Sequence, residues 1–313
     1  MSPTALIFTY CTLIMFASLF GGWVPLLIRL NHTRMQVAVS LVAGFMLGIG
    51  LLHLLPHALL PGVSVQTVVG WLLVGFLAMF FIERFFCFHH HDAPAPVEND
   101  HSHQAQEFAE HHHHHEHRLT WSGAMVGLSL HSIIIGIAMA ASIQAESSPG
   151  ENVRFAGLPV FLVIILHKPF DSMTLGTLMA VGGWKPSRRH LVNILFALAV
   201  PFGVLLFQFG VGAGLPNQQS LVLGCALAFC SGTFLCISMS DLLPELQFHQ
   251  HDRFKLSFAL LAGLALAWLV STMESHTHGH EIQKSKNSTL TIITEPYVKY
   301  LSPLSPVHRR PGR

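Results

Sequence analysis

An all-α polytopic membrane protein with eight transmembrane helices is the fold this sequence predicts, and three features predict it. The 313 residues are 51% hydrophobic and 11% charged, against about 25% charged in soluble globular chains. The apolar residues gather into eight runs of about 20 to 25, the length that crosses a hydrocarbon core of about 30 Å as helix. The basic residues of the connectors fall almost entirely on alternate connectors. A chain so poor in charge cannot surround itself with a water-facing surface, so lipid is its solvent. A net charge of +1 argues against nucleic acid as a partner.

In chain order the spans are residues 5–28, 36–59, 65–88, 121–143, 156–181, 190–212, 219–243 and 256–273. Met1 leads into apolar sequence without a basic n-region or a small-residue cleavage site, so the first run reads as a span and not as a signal peptide. Arg29, Arg34, Arg84, Arg118, Lys185, Arg188, Arg189, Arg253 and Lys255 share one side, and the opposite connectors hold only Arg154. The positive-inside rule makes the first side cytoplasmic and both termini extracytoplasmic, as expected of a multi-pass protein of a cell (inner or plasma) membrane. Cys11, Cys87, Cys225, Cys230 and Cys236 lie in or beside apolar runs without a CxxC pair. They read as small apolar fillers, not a disulfide framework.

Span 2 ends in His53-Leu54-Leu55-Pro56-His57 and span 7 in Asp241-Leu242-Leu243-Pro244-Glu245. Two matching segments on oppositely directed spans suggest an inverted repeat of spans 1–3 and 6–8 around spans 4 and 5. The transmembrane domain is then 1–273, with residues 89–118 a cytoplasmic loop inside it and 274–313 a disordered extracytoplasmic tail. The loop holds His89, His90, His91, His101, His103, His111, His112, His113, His114, His115 and His117 with interspersed carboxylates. It is expected to be disordered and to contact metal, since neutral imidazole and carboxylate suit zinc, copper and nickel. A purification tag would be uniform and terminal; this run is interrupted and internal.

An ionisable side chain near the bilayer midplane costs about 2.5–3.5 kcal/mol and marks function. Only spans 4 and 5 carry such residues: His131 with Ser132, and His167, Lys168 and Asp171. His167 and Asp171 are four apart and share a helix face, whereas Lys168 points about 100° away from His167. Spans 4 and 5 run antiparallel, so His131 can meet His167 at one level. Two imidazoles and a carboxylate make a three-ligand zinc site with one position open. Pro169 removes an amide donor beside these ligands and is expected to kink the span. His53 and His57 lie toward the outer end of span 2, Asp241 and Glu245 toward the inner end of span 7, an ordering that suggests entry and exit.

At these residues the chain resembles the ZIP family of metal transporters. His131-Ser132-Ile133-Ile134-Ile135-Gly136 resembles that family's span 4, and His167-Lys168-Pro169-Phe170-Asp171 its span 5. The segments of spans 2 and 7 and the histidine-rich loop between spans 3 and 4 are similar as well. The resemblance, over about residues 5–273, implies metal transport toward the cytoplasm, a site between spans 4 and 5 and often a homodimer. It implies metal-ligand roles for His131, His167 and Asp171 and second-site positions for Ser132 and Lys168. Two departures stand out. Ile135 occupies a position that is usually acidic in the two-metal members, and Val200-Pro201 replaces glutamate before proline in span 6. The tethered ammonium of Lys168 fits the place of a second cation, leaving one transported ion.

The expected function is therefore a carrier of zinc, with iron(II), manganese or cadmium as further candidate ions. It is not an enzyme and holds no cofactor. The alternative is a membrane protein that senses or binds metal and has lost transport. An intramembrane metalloprotease is disfavoured by the lack of HExxH; an efflux carrier of another fold stays open.

Overall fold

The computed structural model describes residues 2–22, 32–86, 121–147, 155–212, 219–248 and 254–273, and among them every regular element is helical. The histidine-rich loop and the C-terminal tail lie outside the described residues, as do the side chains of 241–248. By its internal contacts the chain divides into Met1–Trp268, which holds all the packing discussed below, and Leu269–Arg313.

The helices are α1 (Pro3–Gly21), α2 (His32–Ile49, a π-helical turn at Gly50–Leu54, then Leu55–Ala58), α3 (Val65–Phe86) and α4 (Trp121–Glu146). They continue as α5 (Leu158–Val181), α6 (Pro186–Ala197 and Ala199–Gly212), α7 (Gln219–Phe248) and α8 (Phe254–Met273). Eight of these spans are long and apolar enough to cross a membrane. Several run past the apolar window. α2 includes His32, α6 opens at Pro186, α4 ends at Glu146 and α7 includes Phe248. The hydropathy of a run reports the length immersed in lipid, whereas the hydrogen-bonded helix continues into polar residues that favour it. Pro186 opens α6 because its fixed φ suits the first helical position and its missing N–H is not needed there.

Prolines set the irregularities. Pro56 has no N–H to give Leu52, and the turn before it loosens so that Leu55 N–H reaches back to Gly50 O. The same carbonyl accepts the Ser231 hydroxyl of α7 at 2.8 Å. Pro201 has no N–H for Ala197, and α6 is interrupted at Leu198. Pro169, by contrast, lies within an α5 assigned as one continuous helix.

Helices in lipid gain nothing from excluding water from each other, so close backbone approach through small residues drives their packing. Reciprocal glycines seat three pairs. A Cβ on Gly75 would meet Phe229 O at 2.0 Å and one on Gly232 would meet Leu72 O at 1.9 Å, joining α3 to α7. Gly136 against Val200 O and Gly203 against Ile133 O join α4 to α6, while Gly44 against Leu260 O and Gly263 against Leu41 O join α2 to α8. α1 meets α5 through the Tyr10–Phe161 stack, the buried Ser18–Ser172 hydrogen bond at 2.8 Å and Gly21 against Pro169. Within their spanning windows α2 and α7 are 61% buried and α3 17%; the outer face of α3, with Val69, Leu73, Phe81 and Phe85 exposed, suits contact with acyl chains.

Candidate metal centre

The interior face of the bundle carries the groups that the sequence singles out. On α4, His131 and Ser132 are buried, and the Ser132 hydroxyl donates to Leu128 O one turn back at 2.7 Å. On α5, His167 and Lys168 are buried and Asp171 lies one turn beyond His167. The helical spacing therefore places imidazole and carboxylate on a common face, as expected, and the packing of α4 on α5 supplies the second imidazole.

His131, His167 and Asp171 each offer one ligand atom, all within 4.8 Å of one another. Nε2 of His131 and Nε2 of His167 each stand 3.9 Å from Asp171 Oδ2, and the two rings lie 5.6 Å apart between centroids. Zinc bound at about 2.0–2.1 Å to nitrogen and oxygen in a tetrahedron holds its ligands about 3.3 Å apart. Each imidazole–carboxylate pair thus needs to close by roughly half an ångström. His167 Nδ1–H donates to Val163 O at 2.7 Å, which fixes the tautomer and turns the basic Nε2 toward Asp171. Among the described residues, buried His167 Nε2 and Asp171 Oδ2 meet no hydrogen-bond partner. Two buried polar atoms of complementary chemistry left in that condition are costly unless something joins them. A divalent cation has the chemistry to do so.

Lys168 takes a different direction. Its side chain is fully buried, its amine donates to the Ser132 hydroxyl, and it sits 3.6 Å from the centre of the Phe196 ring. The two residues that stand beside the histidines thus bond to each other. Phe196, which covers the amine from α6, carries no sequence signal that would have nominated it. Ile135 is buried and offers no ligand atom.

His53 and His57 come together with Glu146, a residue that sequence reasoning missed because its fourth span stopped at 143. The available signal was the Ser142/Glu146 pair, one turn apart on a helix continuing past the apolar run. Asp241 and Glu245 lie on the helical backbone of α7, with side chains outside the described residues.

A family model described as "ZIP Zinc transporter" matches residues 5–271. The chain is similar to zinc transporter ZIP9-B of Xenopus laevis, 29% identical over 164 residues, 50% of this chain and 52% of that protein. It is similar to zinc transporter 3 of Arabidopsis thaliana, 25% identical over 159 residues, 47% of this chain and 43% of that protein. Zinc transporter ZIP9 of Macaca fascicularis is 29% identical over 164 residues, 50% of this chain and 67% of that protein. The chain spans about half the length of the curated relatives it matches.

Proposed function

This multi-pass membrane chain belongs to the ZIP zinc transporter family, and from that premise we propose that it carries zinc, or a similar divalent transition-metal ion, toward the cytoplasm through a single-ion site between α4 and α5. The observation that carries the reading is the convergence of His131, His167 and Asp171 in the buried space between those helices. The ion sheds water onto two imidazoles and one carboxylate, and the fourth position stays open to water or to the next ligand along the path. Ligand exchange takes the place of covalent chemistry, so the reading includes no catalytic step. Iron(II), manganese and cadmium compete for such a donor set, with geometry and availability choosing among them.

The buried amine of Lys168 supports one ion and not two, because a second cation beside Ser132 would meet the nitrogen already bonded there. The path runs from His53 and His57 to the site and then past Asp241 and Glu245 to the loop of residues 89–118. Extracytoplasmic termini, residence in a cell membrane, the inverted repeat and a homodimer belong to the same proposal. Zinc accumulation inside vesicles reconstituted with the protein tests it. Wild type fills the vesicles and His167→Ala does not; equal filling by the two sinks the site.

A second reading, a protein that binds metal without moving it, is favoured by Ile135, which leaves the site one carboxylate short. Zinc held on reconstituted vesicles without internal accumulation supports that reading over the carrier.

A further inference from the structure

We propose that His53, His57 and Glu146 form a second divalent-metal site, separate from the one between α4 and α5, which takes a zinc-class ion on two imidazoles and one carboxylate. Fifteen residues of α4 separate Glu146 from His131, about 22 Å along the axis at 1.5 Å per residue. The two clusters cannot share an ion.

The ligands come from two helices, α2 and α4. His53 lies in the π-helical turn of α2 that Pro56 brings about, and such turns gather at functional sites. His57 follows one turn later, its ring centre 4.5 Å from that of His53. His57 Nδ1 donates to His53 O at 2.8 Å. A carbonyl only accepts, so Nδ1 carries the proton and Nε2 is the basic nitrogen. This is the arrangement of His167 and Val163 O in the first cluster, and it is how metal-binding histidines are ordinarily oriented.

The carboxylate is positioned as firmly. Glu146 Oε1 accepts the Ser142 hydroxyl at 2.6 Å, and Oε2 accepts Gly157 N–H at 2.6 Å from the start of α5. Gly157 reaches it with φ of 69°, where a Cβ would stand 2.5 Å from Ile143 Cγ1. Only glycine delivers its N–H to that place. His53 Nε2 stands 3.0 Å from Glu146 Oε1, and both side chains are 1% exposed. Two zinc ligands are about 3.3 Å apart, so this pair is already spaced for an ion that displaces the proton between them.

The competing account is a latch in which the His53–Glu146 pair merely ties α2 to α4. A latch needs those two residues; a metal site needs His57 as well. Zinc alone is therefore titrated into the full-length protein in detergent and the bound ions are counted by equilibrium dialysis. The histidine-rich loop contributes equally to every variant, so the difference from wild type is what is read. His57→Ala is expected to bind one ion fewer than wild type, and His57→Ala with His167→Ala two fewer. Glu146→Gln is expected to match His57→Ala. If Glu146→Gln fails to fold, His57→Ala decides alone, because that ring is only part-buried near the end of its helix. An unchanged count in His57→Ala overturns the second site and leaves the latch. The two proposals fail separately: loss of an ion in His57→Ala but not in His167→Ala removes the site between α4 and α5 and keeps this one, and the converse result does the opposite.

Discussion

Replacing Gly203 with alanine tests whether the seat of α4 on α6 sets the geometry of the proposed metal centre. The new methyl would stand 2.0 Å from Ile133 O and 2.8 Å from Ile133 C, where ordinary contact begins near 3.4 Å. Both are backbone atoms, so no rotamer relieves the clash and the helices must part by more than an ångström. Ile133 is two residues beyond His131, and a shift of that size carries the ring with it. A binding constellation tolerates only about 0.5 Å of displacement, while His131 Nε2 already stands 3.9 Å from Asp171 Oδ2. Overpacking of this kind costs about 1–3 kcal/mol of stability, and disturbing the support of a ligand costs about 10–100-fold in metal affinity. Zinc uptake by reconstituted vesicles, fitted for KM and maximal rate, reads the second effect, and thermal unfolding in detergent reads the first. Gly210→Ala on the same helix is the control, because a Cβ there meets nothing within 4 Å. Wild-type KM and unfolding midpoint in Gly203→Ala would refute the reasoning.

Asp171→Asn removes the carboxylate of the proposed ligand set while disturbing little else, since Asp171 Oδ2 makes no hydrogen bond among the described residues. Zinc affinity at that site is expected to fall by more than the roughly 100-fold upper figure for losing a supporting partner, with unchanged helicity by circular dichroism; equal affinity by isothermal titration contradicts the ligand assignment. Zinc and protons compete for the same imidazole nitrogens, so uptake is expected to be slower at external pH 5.5 than at 7.5. Equal rates at the two pH values count against two histidine ligands. Ser172→Ala breaks the buried bond between α1 and α5, and interhelical bonds of this type average about 0.6 kcal/mol in membranes. Unfolding in mixed micelles should report a loss of that order with uptake intact; a loss of uptake would place α1 in the transport path.

The spans were legible because immersion in lipid imposes a local rule, a long apolar run, that each segment obeys on its own. The face shared by His167 and Asp171 was legible for a similar reason, since helical periodicity links residues one turn apart. Helix ends were less so. Glu146 is polar and lies past the apolar run, yet it remains in the hydrogen-bonded helix, and the fourth span read from hydropathy stops short of it.

What the sequence alone determined, then, is whatever one helix decides within itself: eight helical spans, and a histidine and an aspartate one turn apart on a common face. Tertiary structure decided which residues from different helices meet. His131 faces Asp171, Lys168 turns to Ser132 and Phe196, and His53 finds Glu146. Glycines likewise decide where backbones meet, α3 with α7 at Gly75 and Gly232 and α4 with α6 at Gly136 and Gly203. A glycine in an apolar run does not announce which carbonyl will lie against it, because that depends on the shape of a second helix far away in the chain.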